Sequence, residues 1–477
     1  MRLHPLSWLA TATWVATGAG ALLLAACEES PVCKKADGVM VCGEFGAASY
    51  VAQLGTQVQW PPIAVENGRI LLARGQQLVS VDAQGKVVTL ANTGDALTIP
   101  SSDTDGSLYV QGGTNAGTSV RAFASTAAIS QSASDQGARW LRSLPGRPTG
   151  TPPTLGKGVL HAATVEGGTL FSPGTQTTLF TLDSQTGDVI RSRKGASPAA
   201  VLADGSLRFL THPVGLTASG NTEDVAGNSG GAIEYGQLVA EDAAGNVIWT
   251  LEDKDGLVDF APGPSGETYV VTSESHLLRR VSAAGAIEWS FDPPCANCTV
   301  AAAPTVEKDV VYFPVWETRN EELIDPLFAL DAKTGATRWV YDGFSTRRST
   351  YNPFSAIGGG DGVTQTKVKH HPAGRPVVAQ DGTLYVSTDG AVSALDAQGQ
   401  MLGVAMYDSD VGEVSTPGQS GTWINPGVRP SPVLGPDGML YVWDGAAVRA
   451  FKTNRPASTA AWVAPFGGPT NAGRAPQ

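Results

Sequence analysis

A turn followed by a short apolar strand recurs along this chain, and such a repeated unit cannot bury its apolar face alone. The clearest copies are Asp105-Gly-Ser-Leu-Tyr-Val110, Asp381-Gly-Thr-Leu-Tyr-Val386 and Asp437-Gly-Met-Leu-Tyr-Val442. Weaker copies begin at Asn67, Gly156, Asp204, Ser265 and Asp309. Asp-Gly supplies a turn with positive φ, and the aromatic and β-branched residues suit a buried strand. A second unit follows each of the first. Its best copy is Leu327-Phe-Ala-Leu-Asp331-Ala-Lys-Thr-Gly335-Ala-Thr-Arg-Trp339, with others at Leu78 to Gly85, Leu179 to Gly187, Leu238 to Trp249, Leu278 to Trp289 and Val392 to Gly399. The copies at Val120 to Ala124 and Val448 to Lys452 have lost the Asp and the Gly. Alternation makes a strand, Asp and Gly turn the chain, and Trp falls on the returning strand. Each pair of units therefore encodes four antiparallel strands. Packing such sheets around an axis buries both faces and protects the edges.

The run Ala329-x-Asp331-x-x-Thr334-Gly335-x-x-x-Trp339 resembles the PQQ-like repeat of quinoprotein-type β-propellers. The resemblance implies an all-β fold, a β-propeller, and the count of repeat copies makes it an eight-bladed β-propeller of four-stranded antiparallel blades. The blades begin near Trp60, Ile99, Thr151, Pro198, Phe260, Ala302, Arg375 and Pro430. It also implies that the motif Trp packs between neighbouring blades, which maps onto Trp249, Trp289 and Trp339, with Trp140 and Trp462 in degenerate blades. NHL and SMP-30-like propellers share the Asp-Gly-x-Leu-Tyr-Val cue. WD40 propellers pair Gly-His with a terminal Trp-Asp, which no blade here does. Irregular spacing marks insertions at 216–231, 345–372 and 407–425, and long loops on a regular scaffold are where binding usually resides.

Ahead of the repeats, Arg2 precedes an uncharged apolar run from Leu6 to Leu24. That length suits a signal-peptide core or a short membrane span. The residues Leu24-Ala25-Ala26-Cys27 decide it, because they resemble the bacterial lipobox, in which the thiol is acylated and the peptide is cut before the cysteine. Several acyl chains give stable anchoring where one does not. Glu28 follows where some bacteria read Asp as a retention signal, which favours the outer membrane of the cell envelope, on its periplasmic or surface side. The expected division is a signal peptide over 1–26, a lipidated tether over 27–59, the propeller over 60–464 and a loose tail over 465–477.

With Cys27 acylated, four of the five cysteines remain, in two local pairs suited to an oxidising compartment. Between Cys33 and Cys42 lies Asp37-Gly38, a strong two-residue hairpin signal. Counting out from that turn sets Ala36 against Val39 and Cys33 against Cys42, close enough for a disulfide. Cys295-Ala-Asn-Cys298 reads as a loop disulfide. Thr299 removes the c-type haem motif, two prolines and no helical pattern argue against a thioredoxin-like dithiol, and two further zinc ligands are missing.

The name of the repeat raises a quinone-dependent dehydrogenase. Those enzymes resemble one another in an adjacent Cys-Cys disulfide over the quinone, a Trp platform and acidic calcium ligands, and this chain has no adjacent cysteines. No cofactor is therefore expected, since a repeat architecture does not carry function by itself. Gly227-Asn-Ser229-Gly-Gly231 lacks the His and Asp that a serine nucleophile needs. Asp253-Lys-Asp255-Gly256 with Asp259 departs from an EF-hand loop and reads as an exposed inter-blade turn. The most distinctive insertion is Gly358-Gly-Gly-Asp361-Gly362 followed by Lys367, Lys369, His370 and His371, a candidate loop for an anion or a sugar acid.

Thirty-two Lys and Arg against 44 Asp and Glu give a net charge of −12, and removal of 1–26 takes only Arg2, leaving −13. Such a surface excludes nucleic acid, which needs clustered cations. The reading is a non-catalytic lipoprotein scaffold, held at the membrane by its lipid anchor, with a protein or glycan partner. The nearest functional analogue is the lipidated PQQ-like repeat subunit of the outer-membrane β-barrel assembly machinery. The competing class is a quinone- or metal-dependent oxidoreductase or a sugar-active enzyme.

Overall fold

Aspartate side chains build the recurrent turns. Asp82 Oδ1 accepts the amide of Gln84 at 3.0 Å, Asp183 that of Gln185 at 2.8 Å, Asp331 that of Thr334 at 2.9 Å and Asp396 that of Gln398 at 2.9 Å. This bond back to the following backbone is why Asp opens each turn. The glycine that closes it lies at positive φ, +81° at Gly85 and +79° at Gly399, where a Cβ would crowd the next carbonyl.

The computed structural model describes residues 33–36, 39–54, 63–64, 69–103, 105–114, 117–124, 137–166, 176–211, 235–294, 298–300, 303–319, 322–324, 326–351, 363–370, 372–388, 391–406, 431–443 and 447–458. Among them every helix or strand assigned is a strand. Antiparallel meanders succeed one another along the chain. Ile63–Ala64, Ile70–Arg74, Gln77–Val81 and Val87–Asn92 form one sheet. Sheets follow over 96–145 and 147–194. A seven-stranded sheet over 200–291 holds two meanders that share the long strand Val247–Pro262. Further sheets lie over 298–341 and 372–406, and the last contains Val433–Leu434, Met439–Trp443 and Ala447–Lys452.

The first strands of successive meanders touch one another. Val247–Pro262 meets Thr305–Glu307, which meets Pro372–Val378, which meets Val433–Leu434, and Val433–Leu434 meets Ile63–Ala64. The last sheet therefore returns to the first and the ring is closed. Apolar side chains fill the space between neighbours. Tyr312, Leu327, Ala329 and Tyr341 pack on Val378, Leu384, Val386 and Leu395, for example. Each Val or Leu among them contributes about 1.5–3 kcal/mol when fully buried.

The chain's beginning closes the ring. Ala48–Gln53 pairs antiparallel with Ala447–Lys452, with Ala52 opposite Val448, and is the outermost strand of the last sheet. Val39–Gly43 pairs with Met401–Met406 and extends the 372–406 sheet, and Cys33–Ala36 pairs with it in turn, Cys33 opposite Cys42 and Ala36 opposite Val39. Cys42 is disulfide-bonded. Residues 39–53, expected in a tether, are thus parts of two sheets. Their partners lie hundreds of residues away, so no local turn signal announces the pairing. These additions, with short strands such as Glu322–Ile324, also raise several sheets above the expected four strands.

The end of the described chain straps three sheets together. Gln380 N donates to Pro456 O at 2.9 Å, Ala457 N to Gly435 O at 3.2 Å and Ser458 N to Val378 O at 2.9 Å. Ser458 Oγ donates to the buried Glu307 carboxylate at 2.7 Å. Arg455 pairs with Asp381 at 2.9 Å and with Glu44.

Two expected loops are otherwise. The insertion at 345–372 contains a hairpin, Phe344–Tyr351 with Val363–His370, whose Thr, Val, Phe and Tyr residues suit extended strands. Asp253 to Gly256 is not an exposed turn. It lies within Val247–Pro262, where Asp253 is buried and both Asp253 and Asp255 pair with Arg279, the latter at 2.5 Å.

Candidate functional face

In an up-and-down meander the first and third connections share one end of the sheet, and the second connection and the link to the next sheet share the other. The ring therefore has two unlike faces. One face collects the tight turns: Asp105-Gly106, Asp204-Gly205, Asp381-Gly382 and Asp437-Gly438 between first and second strands, and Asp82 to Gly85, Asp331 to Gly335 and Asp396 to Gly399 between third and fourth. The segment 125–136, outside the described residues, also joins strands there. The opposite face collects nearly every long connection. Segments 167–175, 212–234 and 407–430 join strands at that end and lie outside the described residues. So does the described hairpin, and so do Cys298–Val300 and Glu322–Ile324, which extend the sheet beside Val310–Arg319.

At the inner rim of this loop-bearing face one carboxylate ties several first strands. Asp259 Oδ2 accepts from Arg375 Nη2 at 2.7 Å and from Ala303 N at 2.9 Å, while Oδ1 accepts from Phe260 N at 2.8 Å. Arg375 N donates to Ser431 Oγ at 3.0 Å. Four consecutive starts of inner strands are thus linked, with Arg375 mostly buried and Asp259 half-buried. Asp253 and Asp255 with Arg279, and Asp95 with Arg121 at 2.8 Å, add ion pairs on the same side. Hydrogen bonds from Ser119 and Arg121, with Arg121's charge, lower the Asp95 pKa against the opposing effect of burial. Among the described residues no three His, Cys, Asp or Glu side chains cluster as metal ligands would. In the sequence Asp259 stands out only beside Asp253 and Asp255 as a calcium candidate, and Arg375 only as the start of a blade. Their pairing spans 116 positions and leaves no local pattern.

The candidate loop residues fall on both sides of what the structure describes. Lys367 stands opposite Arg347, and His370 opposite Phe344, in the hairpin. Asp361 and His371 lie outside the described residues, as do Cys27, Cys295, Trp462 and the segment Gly227 to Gly231. Cys298 is disulfide-bonded and begins the strand Cys298–Val300.

The motif tryptophans lie at the rim of the ring, on outer strands. The indole Nε1 of Trp249 donates to Ala283 O at 2.8 Å, that of Trp289 to Ala332 O at 3.1 Å and that of Trp339 to Ala397 O at 3.0 Å. Each acceptor belongs to the turn of the following meander. Trp140 does the same to Ser184 O at 3.0 Å. At two of the positions without Trp another large side chain reaches the neighbouring turn. Arg191 takes the Trp place in Val189–Lys194, pairing with the fully buried Glu241 at 3.3 Å alongside Arg193. Tyr50 takes it in Ala48–Gln53, against Gly85. Burial raises the Glu241 pKa, against the lowering effect of the two arginines.

A cavity of about 240 Å³ opens between the 372–406 sheet and the last sheet, lined by Glu44, Phe45, Tyr385, Lys452 and Arg455 among others. It lies where the N-terminal and C-terminal segments cross, and its Glu44 and Arg455 are already engaged in the Arg455 pairs.

Comparison with solved structures decides the fold. BamB from Moraxella catarrhalis matches with a TM-score of 0.51 and 14% identity, covering 85% of this chain and 99% of that one. The fold is a PQQ-type β-propeller. A quinohemoprotein alcohol dehydrogenase from Comamonas testosteroni matches with a TM-score of 0.50 and 12% identity over 86% of this chain and 77% of that one. Another such dehydrogenase, ADHIIG from Pseudomonas putida HK5, gives 0.50 and 12% over 86% and 76%. No protein-family model and no curated protein matches the sequence. At these identities the likeness speaks to fold, which this propeller shares with an enzyme group and with BamB alike.

Proposed function

We propose that the chain is an eight-bladed propeller acting as a non-catalytic binding scaffold of the bacterial cell envelope, exported and anchored through acylated Cys27. In this reading the two meanders that share Val247–Pro262 are separate blades, and the blades meet through Trp140, Trp249, Trp289, Trp339, Tyr50 and Arg191. The observation that carries it is the segregation of connections: tight Asp-Gly turns at one end of the ring, and long segments, added strands and a hairpin at the other. A ring of paired strands that presents long segments on one face suits recognition of a protein partner. The likeness to BamB supports the propeller ring of this reading, and the lipobox-like Leu24-Ala25-Ala26-Cys27 supports its anchor.

The quinone cradle finds little support in this chain's residues. No two cysteines are adjacent. The described Trp140, Trp249, Trp289 and Trp339 donate into turns at the rim, away from the inner strands that line the axis. The axial rim offers Asp259, already satisfied by Arg375 and Ala303. We therefore derive no redox step. A photo-crosslinking residue placed at Leu323, on the loop-bearing face, is expected to capture a discrete partner in native membranes, while one at Gln398, on the tight-turn face, captures none. Equal capture from both, or stoichiometric quinone and calcium in purified protein with alcohol oxidation, overturns the reading.

A further inference from the structure

Phe344–Tyr351 and Val363–His370 pair with each other over eight positions and form a sheet of their own. Their sequences hold Arg347, Arg348, Lys367 and Lys369 and no carboxylate, in a chain of net charge −12. Register sets Arg347 directly opposite Lys367 and Ser345 opposite Lys369. Alternation along each strand then puts Arg347, Lys367 and Lys369 on one face and Arg348 and His370 on the other. Like charges directly opposite weaken a strand pair, and a two-stranded hairpin is marginal by itself in water. An extended anionic surface against the cationic face relieves both.

The chain also says which surface. One residue separates this hairpin from Pro372–Val378, the inner strand of the 372–406 sheet. The outer strand of that sheet, Met401–Met406, carries Val39–Gly43 and through it Cys33–Ala36. Six residue steps from Cys27 to Cys33 reach at most about 20 Å. An acyl group on Cys27 would therefore hold the edge of this one sheet close to the bilayer, while the cationic hairpin leads into the same sheet. We infer that the face bearing Arg347, Lys367 and Lys369 docks on anionic phospholipid headgroups, so that anchor and hairpin together seat the propeller with its 372–406 sheet toward the membrane. The seating rests on the proposed acylation. The headgroup contact does not.

The test uses the mature chain with Cys27→Ser, which carries no acyl group, and vesicles of phosphatidylcholine alone or with a third phosphatidylglycerol. The expected result is co-sedimentation with the anionic vesicles only, weakened by salt because exposed charges are screened. Arg347→Gln with Lys367→Gln and Lys369→Gln is expected to lower partitioning roughly 100-fold, on the usual contribution of three surface cations. Arg348→Gln, on the other face, is expected to change it far less. Binding equal for both vesicle types, no binding, or equal loss from the Arg348 variant overturns the inference. So does complete displacement by millimolar inorganic phosphate, which would mean a small-anion pocket, or tighter binding to polyglutamate than to vesicles, which would mean an acidic protein segment. Should the triple variant fail to fold, the vesicle contrast and the Arg348 variant still decide. Because no acyl group is present, failure here leaves the Cys27 reading standing, and that reading is tested by fractionation.

Discussion

A Cβ placed on Gly399 would stand 2.7 Å from Cδ2 of Trp339. The glycine lies at φ +79° in the turn of one meander, and the indole belongs to the outer strand of the meander before it. The same approach recurs at Gly335 with Trp289, Gly285 with Trp249 and Gly187 with Trp140. The glycine of the repeat thus has two duties: it turns the chain left-handed, and it leaves room for a neighbour's ring.

Gly399→Ala is accordingly expected to destabilise the protein more than its φ alone demands. The left-handed conformation costs about 1–2 kcal/mol and forced overpacking about 1–3 kcal/mol. Trp339→Ala removes a half-buried indole and its bond to Ala397, so its cost is expected near the low end of the about 3–5 kcal/mol usual for a buried aromatic. A double-mutant cycle checks the contact: the two losses, read from urea midpoints, are expected to be markedly less than additive. Simple additivity would mean that ring and turn do not bear on each other.

His161 is buried beside Thr181, its Nδ1 3.1 Å from the hydroxyl. Burial, with some repulsion from Arg191, lowers its pKa to about 3. The unfolded chain binds a proton near pH 6.5 that the folded chain refuses until about pH 3. Stability is therefore expected to fall with falling pH across that window, with a slope of up to about 1.4 kcal/mol per pH unit from this group. Urea unfolding of the protein and of His161→Leu between pH 4 and 7 checks it. Parallel curves would show that the imidazole does not titrate differently on folding.

Glu241 is expected to act in the opposite sense. Its pKa is raised by burial despite Arg193 and Arg191, so the folded chain holds the proton longer than the unfolded one. Stability from this group is present below its ordinary pKa of 4.5 and declines as pH rises above it. Arg191→Leu removes one compensating charge and is expected to deepen that decline, destabilising the protein at pH 7 by about 1–3 kcal/mol, short of the about 3–5 kcal/mol of a buried charge left alone because Arg193 still pairs with Glu241. Adding Glu241→Gln is expected to restore most of the loss. A double variant no more stable than the single one at pH 7 would place the damage instead in lost packing on the turn at Ala244 and Gly245, where Arg191 donates to Ala244 O at 3.3 Å.

What the sequence made legible follows how local each feature is. The Asp-Gly turns, the strands they release and the Cys33 to Cys42 register all arise within ten or so residues, so patterning alone finds them. The Arg375 to Asp259 pair and the C-terminal strap on Glu307 join positions 116 and 151 apart and carry no local signal. Arg191 was hidden for another reason. It sits at the Trp place of the repeat, and only the buried Glu241 opposite explains why a cation serves there. The strand Ala48–Gln53 lacks any turn of its own and shows only a weak alternation, so it reads as tether until its partner at Ala447–Lys452 is known.

That strand offers a separation of local from global stability. Ala52 is buried among Leu54, Ile70, Leu72, Val448 and Ala450, where the first and last sheets meet. Ala52→Asp puts an unpaired carboxylate into that seam and opens the ring where its two ends join, so a cooperative drop in Tm and increased hydrogen exchange in both Met439–Trp443 and Ile70–Arg74 are expected. Cys42→Ser acts elsewhere. It frees a hairpin added outside Met401–Met406, and removing the bond costs about 2–3 kcal/mol of local stability for so short a loop. Faster exchange is expected for Val39–Gly43, with Met439–Trp443 unchanged. A fall in protection spread over every sheet after Cys42→Ser would show that the N-terminal hairpin, and not the Ala48–Gln53 strand alone, holds the ring shut.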